Sequence, residues 1–355
     1  MTPLDLSNIA VGGDTRAPFV DHPIPSKIMI LILDLAPTLL CPLAFPSRAP
    51  IAIEMKRWLL VAAVLGSIGI RWHDATAAEP SKPKILFFSK SSGFEHEVIK
   101  RHGEKPSFAE QVLSQIERTN NFTFTFSKDG SLFSPEYLEQ FDTFFFYTTG
   151  DLTTRGTDKQ PPMTSSGKQA LLSAIAEGKG FVGTHSATDT FHSPGNEDKN
   201  SPQRYKTDTI LDPYIAMIGA EFIKHGSQQK SHLIVTDPKF PGLAAVPQDF
   251  APLEEWYSLK NFATNLHVLL VQDTSRMVGN MYQRAPYPST WTRDYGKGRV
   301  FYTNLGHRED VWTNSVFRSV LIGGINWALG KDPGISVEPN LTQVTPNASA
   351  LPPPR

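Results

Sequence analysis

The chain has 355 residues, 40% hydrophobic and 19% charged, which is enough apolar side chain to bury a full core in one large domain or two ordinary ones. Its 34 Lys and Arg against 35 Asp and Glu leave a net charge of -1, with no long run of like charge and no basic helix. That balance argues against nucleic acid and against an anionic membrane surface, so a small molecule is the expected partner.

Residues 1–54 are rich in Pro and show no clear period, and they read as an over-extended or disordered N-terminal segment. From Met55 the chain runs MKRWLLVAAVLGSIGI, with basic residues Lys56 and Arg57 followed by an apolar stretch, and Ala75-Thr76-Ala77 offers a small-x-small cleavage site. This is the pattern of a secretory signal peptide over 55–77, which predicts a secreted or periplasmic protein. The competing reading, a membrane anchor, needs roughly 20 apolar residues; the stretch is shorter, so no stable span is expected after cleavage. Cys41 is the single cysteine and lies upstream of Met55. A mature chain without cysteine excludes disulfides, thiolate nucleophiles and Cys-based zinc sites.

The remainder reads as alternating strands and helices. Lys84 to Ser89 is an apolar run of strand length. Ser107 and Glu110 form a capping box that opens a helix with Phe108, Val112 and Ile116 on one face. Phe122 to Phe126 alternates as a half-buried strand, Lys128-Asp129-Gly130 turns, and Thr143 to Tyr147 suits a central strand covered on both faces. A helix over Gln169 to Ala176 buries Leu171, Leu172 and Ile175 and ends at Gly178, ahead of a strand at Gly180 to Thr184. Further strands are expected at His232 to Val235, His267 to Gln272, Val278 to Tyr282 and Arg299 to Thr303. A last helix over Val311 to Leu329 carries Trp312, Val316, Val320, Ile322 and Trp327. The alternation predicts one α/β domain over 82–335, a mostly parallel central sheet with helices on both faces, and a disordered Pro-rich tail over 336–355. Ligands of such sheets sit beyond the carboxyl ends of the strands.

At one such end stands Gly183-Thr184-His185-Ser186-Ala187. The small-x-polar-x-small spacing is that of a nucleophile elbow, with histidine at the elbow. A neutral imidazole near pH 7 accepts or donates a proton or ligates a metal, which makes His185 a candidate general acid/base; the alternative is an imidazole that only caps the turn. Asp189, four residues on, would share a face with it if a helix starts there, and would fix its tautomer or bind hydroxyls.

KILFFSKSSGFEHEVI, GFVGTHSATDTF, IGAEFIKH, EEWYSL and PSTWTRDYGKGRVFYTNLGH, in that order along the chain, resemble the ThuA-like, or trehalose-utilization, family. The resemblance implies a flavodoxin-like three-layer sandwich of the class I glutamine amidotransferase-like superfamily and a link to keto-sugar derivatives of disaccharides. Glutaminase members of that superfamily carry cysteine at the elbow; with His185 there, this chain is not expected to be a glutaminase.

The same motifs supply further candidates. His225 ends a short helix or turn, and of the Glu254-Glu255 pair the family pattern points to Glu255. Trp256, Tyr257 and Trp291 offer aromatic faces to a sugar ring. His307 follows the strand that begins at Arg299, while Arg299 itself reads as part of a structural ion pair. Lys90 and His96 lie in the loop after the first strand, within reach of a ligand. His185, Asp189, Glu255 and His307 are therefore expected to be catalytic, and Lys90, His96, His225, Trp256, Tyr257 and Trp291 to bind substrate. His185, His225 and His307 with Glu255 would suit a divalent metal if they converge, although no H-E-x-x-H spacing supports one; no other cofactor is expected, since phosphate-loop and dinucleotide fingerprints are absent. The function expected is a sugar-processing enzyme acting on a glycoside or keto-sugar. A carbohydrate-binding module without chemistry and a metal-dependent hydrolase are the alternatives. Nothing in the sequence bears on oligomeric state.

Overall fold

A computed structural model describes residues 81–331, 335 and 337–354; the N-terminal segment and the leader expected over 1–77 lie outside them. In chain order the strands are β1 (Lys84–Phe88), β2 (Thr123–Ser127), β3 (Thr143–Phe146), β4 (Gly180–Thr184), β5 (Glu221–His225), β6 (Gln229–Lys230), β7 (Leu233–Val235), β8 (Leu253–Glu254), β9 (Tyr257–Lys260), β10 (His267–Gln272), β11 (Tyr287–Tyr295) and β12 (Gly298–Thr303). The helices are α1 (Phe108–Thr119), α2 (Pro135–Glu139), α3 (Ser165–Ala176), α4 (Pro213–Ile218), α5 (Glu309–Thr313), α6 (Ser315–Ala328) and α7 (Leu341–Val344).

Eight strands form one sheet in the order β2-β1-β3-β4-β12-β11-β10-β7. The pairings from β2 to β12 are parallel, and those from β12 to β7 are antiparallel. Alternation along the parallel strands splits the core. Ile85, Phe87, Phe145 and Val182 face α1, α5 and α6, while Leu86, Phe88, Phe144, Phe146 and Phe181 face α2, α3 and α4. The result is a three-layer α/β sandwich, and each buried Phe of the middle layer is worth about 3–5 kcal/mol against alanine. The predicted capping box at α1 is present, with Ser107 Oγ accepting from Glu110 N at 3.3 Å and Glu110 Oε2 accepting from Ser107 N at 2.8 Å.

Three local expectations are corrected. Val278 to Tyr282 is no strand: Asn280–Tyr282 is a 3-10 turn, and Val278 is 80% exposed, so the apolar run has no sheet to join. The nine-residue β11 takes the antiparallel place beside β12 instead. The last helix is two, because the Asn314 side chain accepts from Val316 N and Phe317 N and starts a second helix there. The tail, expected to be disordered, is ordered over its described residues, 337–354. Strand β7 pairs with β10 only over Leu270 to Gln272, which leaves the backbone of Leu266 to Val268 without a strand neighbour on that edge. Asn340 fills it, accepting from Val268 N at 2.7 Å and donating its own N–H to Leu266 O at 3.0 Å. Farther along, Arg284 donates to Ala348 O at 2.6 Å.

Candidate functional site

The loops after β1, β4 and β12 open at the same end of the sheet, where the small β5-β9 pair and the β6-β8 pair close one side. Between them lies a cleft of about 1070 Å³ whose lining includes Phe94, His96, Asp189, Glu255, Tyr257 and His307.

His185 follows the last residue of β4 and adopts φ 45°, the left-handed region that a side-chain-bearing residue occupies only when its surroundings hold it there. Tyr302 does so from β12, its hydroxyl donating to His185 O at 2.7 Å. The imidazole is fully buried. Its Nδ1 lies 3.2 Å from Asn304 O and donates to that carbonyl, which leaves the lone pair on Nε2. Nε2 points at His307 Nδ1, 3.3 Å away, and at Glu255 Oε2, 3.5 Å away. His307 Nδ1 is 3.3 Å from the same carboxylate oxygen, and His96 Nε2 is 4.0 Å from it. His225 Nδ1 reaches the other oxygen, Oε1, at 3.2 Å.

The neighbouring glutamates have opposite duties. Glu254 is buried and turned away from the cleft, accepting from Glu255 N at 2.8 Å, Gly306 N at 3.0 Å and His307 N at 3.2 Å. Burial pushes its carboxyl up to about 7, against the pull of those backbone N–H groups. Gly306, at φ 124°, makes the turn that Tyr147 and Trp312 pin by donating to its carbonyl at 3.1 and 2.7 Å. Glu255 faces the imidazoles. Burial alone would raise its carboxyl, but His185 and His307 outweigh burial and hold it well below the usual carboxylate range. Burial lowers His185, with Glu255 opposing, and lowers His96 further, aided by the facing His185 and His307.

Several candidates lie elsewhere. Lys90 is fully buried and outside the cleft, donating to Gln160 O at 3.1 Å and lying 3.9 Å from Asp158. Trp256 and Trp291 are core residues: their indole N–H groups donate to Gln229 O and Ile218 O, and Trp291 stacks on Tyr302 at 4.3 Å. Tyr257 does line the cleft, its ring 4.3 Å from that of His185. Asp189 does not orient His185, because the elbow continues as a 3-10 turn instead of an α-helix. It lies 2.9 Å from His192 and 3.9 Å from Arg204 on the cleft wall. The group whose donor atoms converge is His96, His185, Glu255 and His307; His225, expected among the ligands, ends strand β5 and reaches the cluster only through Glu255. The Asn304 carbonyl, Glu254 and the exposed Phe94 went unassigned in the sequence. Among them only the Glu-Glu repeat was a visible signal, one residue of the pair having to face inward.

A family profile described as ThuA, trehalose utilisation, matches residues 84–328. Among solved structures, a ThuA-like protein from Bacteroides uniformis superposes with a TM-score of 0.52 at 19% identity, covering 74% of this chain and 97% of that one. A second ThuA-like protein, from Parabacteroides merdae, gives 0.46 at 17% identity over 77% and 98%. A cytoplasmic protein from Salmonella typhimurium gives 0.44 at 10% identity over 69% and 98%. No curated protein sequence matches the chain.

Proposed function

Because the chain belongs to the ThuA, trehalose utilisation, family, we propose that it is an enzyme acting on a glycoside or keto-sugar derivative, whose reacting end lies over His185. The observation that carries this reading is the placement of that imidazole: buried, with Nδ1–H committed to Asn304 O and Nε2 3.5 Å from Glu255, a carboxylate that lines the cleft. A basic centre so placed serves proton transfer at a sugar hydroxyl or at the carbon next to a ketone. Phe94, 69% exposed, and Tyr257 offer faces to the apolar side of a sugar ring, and Asp189 and Arg204 offer polar groups to its hydroxyls. The leader pattern over 55–77 supports an exported enzyme.

The test is a product screen on glucosides and their 3-keto forms with the native protein and His185→Asn, a substitution that tolerates the left-handed backbone. Turnover by the native protein that vanishes in the variant while sugar binding persists is the expected result. Equal turnover in both would overturn the reading, and binding without product from either would make the cleft a carbohydrate-binding module.

A further inference from the structure

We propose that His96, His185, Glu255 and His307 bind one divalent first-row transition metal ion of the zinc and iron class. Their donor atoms, one from each residue, all lie within 4.8 Å of one another. His185 Nε2, His307 Nδ1 and Glu255 Oε2 form a triangle with sides of 3.3, 3.5 and 3.3 Å. Donors about 2.05 Å from a tetrahedral ion are about 3.3–3.4 Å apart. Charge-assisted hydrogen bonds between the same groups would close to about 2.7–2.9 Å. The three atoms therefore keep the separation of ligands sharing an ion and lie beyond that of good hydrogen bonds. His96 Nε2 lies farther out, 4.0 Å from Glu255 Oε2, and must close on the other three to complete the set.

His96 is the second, independent observation. It is 2% exposed, its Nδ1 has no hydrogen-bond partner, and its Nε2 has only the Tyr257 hydroxyl at 3.5 Å. Buried polar groups are seldom left so poorly satisfied. An ion at Nε2 gives this imidazole a strong partner on the side that faces the other three residues. Three imidazoles and one carboxylate are a borderline donor set, suited to zinc or iron rather than to magnesium or calcium.

The surrounding contacts orient these ligands. Asn304 O receives the Nδ1–H of His185 and fixes the tautomer that ligation needs, and His225 occupies Glu255 Oε1, leaving Oε2 free. His307 sets one condition. To offer Nδ1 it must carry its proton on Nε2, which faces the amide nitrogen of Gln228 at 3.0 Å, while the amide oxygen accepts from Arg308 at 2.6 Å. Ligation thus requires that amide to turn over. Arg308 can release it, being already paired with Asp310 at 2.8 and 3.2 Å.

This inference rests on the cleft being a reaction site only for the ion's use: a bound ion would lower the pKa of a water to give a hydroxide, or polarise a sugar carbonyl, with His185 as ligand and the hydroxide, in place of the imidazole, taking the substrate's proton. Ion binding itself is tested without any sugar. Full-length protein purified without chelator is measured for metal content, then stripped and titrated with Co²⁺, read by visible absorption. One equivalent and a saturable spectrum are expected. Binding should weaken at least tenfold in His96→Gln and Glu255→Gln, and tighten about tenfold in the exposed variant Gln228→Glu, whose carboxylate accepts the His307 Nε2 proton. Metal-free protein with no saturable spectrum overturns the proposal, as does His96→Gln with native affinity or Gln228→Glu with no gain. Absence of a saturable spectrum together with sugar turnover sinks the ion and spares the enzyme; a bound ion without turnover of any sugar supports the site and sinks the enzyme.

Discussion

Replacing Glu254 by alanine should destabilise the fold, although the residue touches no ligand. Its carboxylate accepts three backbone N–H groups, those of Glu255, Gly306 and His307, at 2.8 to 3.2 Å. A buried donor left without its acceptor costs about 1–3 kcal/mol. At the low end, because a freed loop can recruit water, three donors sum to about 3 kcal/mol. For a domain of this size that corresponds to a fall in Tm of about 6–12 °C. Glu254→Gln keeps one accepting oxygen and turns its amide N–H₂ on the remaining donors, so it should cost about 1–3 kcal/mol. Urea unfolding followed by circular dichroism measures both, with unchanged m-values identifying an effect on stability. Turnover should fall together with stability, since the same contacts hold His307 in place. A change below about 0.5 kcal/mol in Glu254→Ala, the range of ordinary surface substitutions, would refute the role assigned to this carboxylate. Glu255→Gln should remove the cluster's negative charge, and with it activity, while the three N–H groups held by Glu254 keep their acceptor.

Two further outcomes follow from the cleft wall and the cleft mouth. His192 is buried between Asp189 at 2.9 Å and Glu221 at 3.3 Å, with Arg204 at 3.0 Å from Nε2; burial lowers its pKa, but the two carboxylates outweigh both burial and the arginine and raise it. A raised imidazole stabilises the fold fully below its unfolded pKa of about 6.5, and the contribution is lost as pH rises through the folded value. Thermal melts from pH 6 to 9 should therefore show the native protein's advantage over His192→Gln shrinking with pH, and a constant difference would contradict the assignment. Phe94→Ala should raise KM about fivefold at nearly constant kcat, since one aromatic contact at an exposed site is worth about 1 kcal/mol; a loss confined to kcat would place Phe94 elsewhere in the mechanism.

What the sequence determined by itself was the parallel half of the fold and the elbow. The runs at Lys84, Thr143 and Gly180 are apolar throughout because both faces of their strands are covered, and that signal is local. His185 was legible for the same reason: a polar residue between small ones directly after such a strand stands where these sheets expose their ligand-facing end. The antiparallel half was harder, since β11 mixes Thr, Arg and Asp with aromatics, and the Val278 run looks like a strand until the sheet has no place for it. The aromatics showed the limit most plainly, because Tyr257 and Trp256 are adjacent in sequence and their side chains serve different places, cleft and core. Only the tertiary structure decided which histidines meet. His96, His185 and His307 come from the loops after three different strands, and Glu255 from the short link between β8 and β9. No spacing along the chain encodes that meeting, because it is set by the order in which β1, β3, β4 and β12 lie side by side.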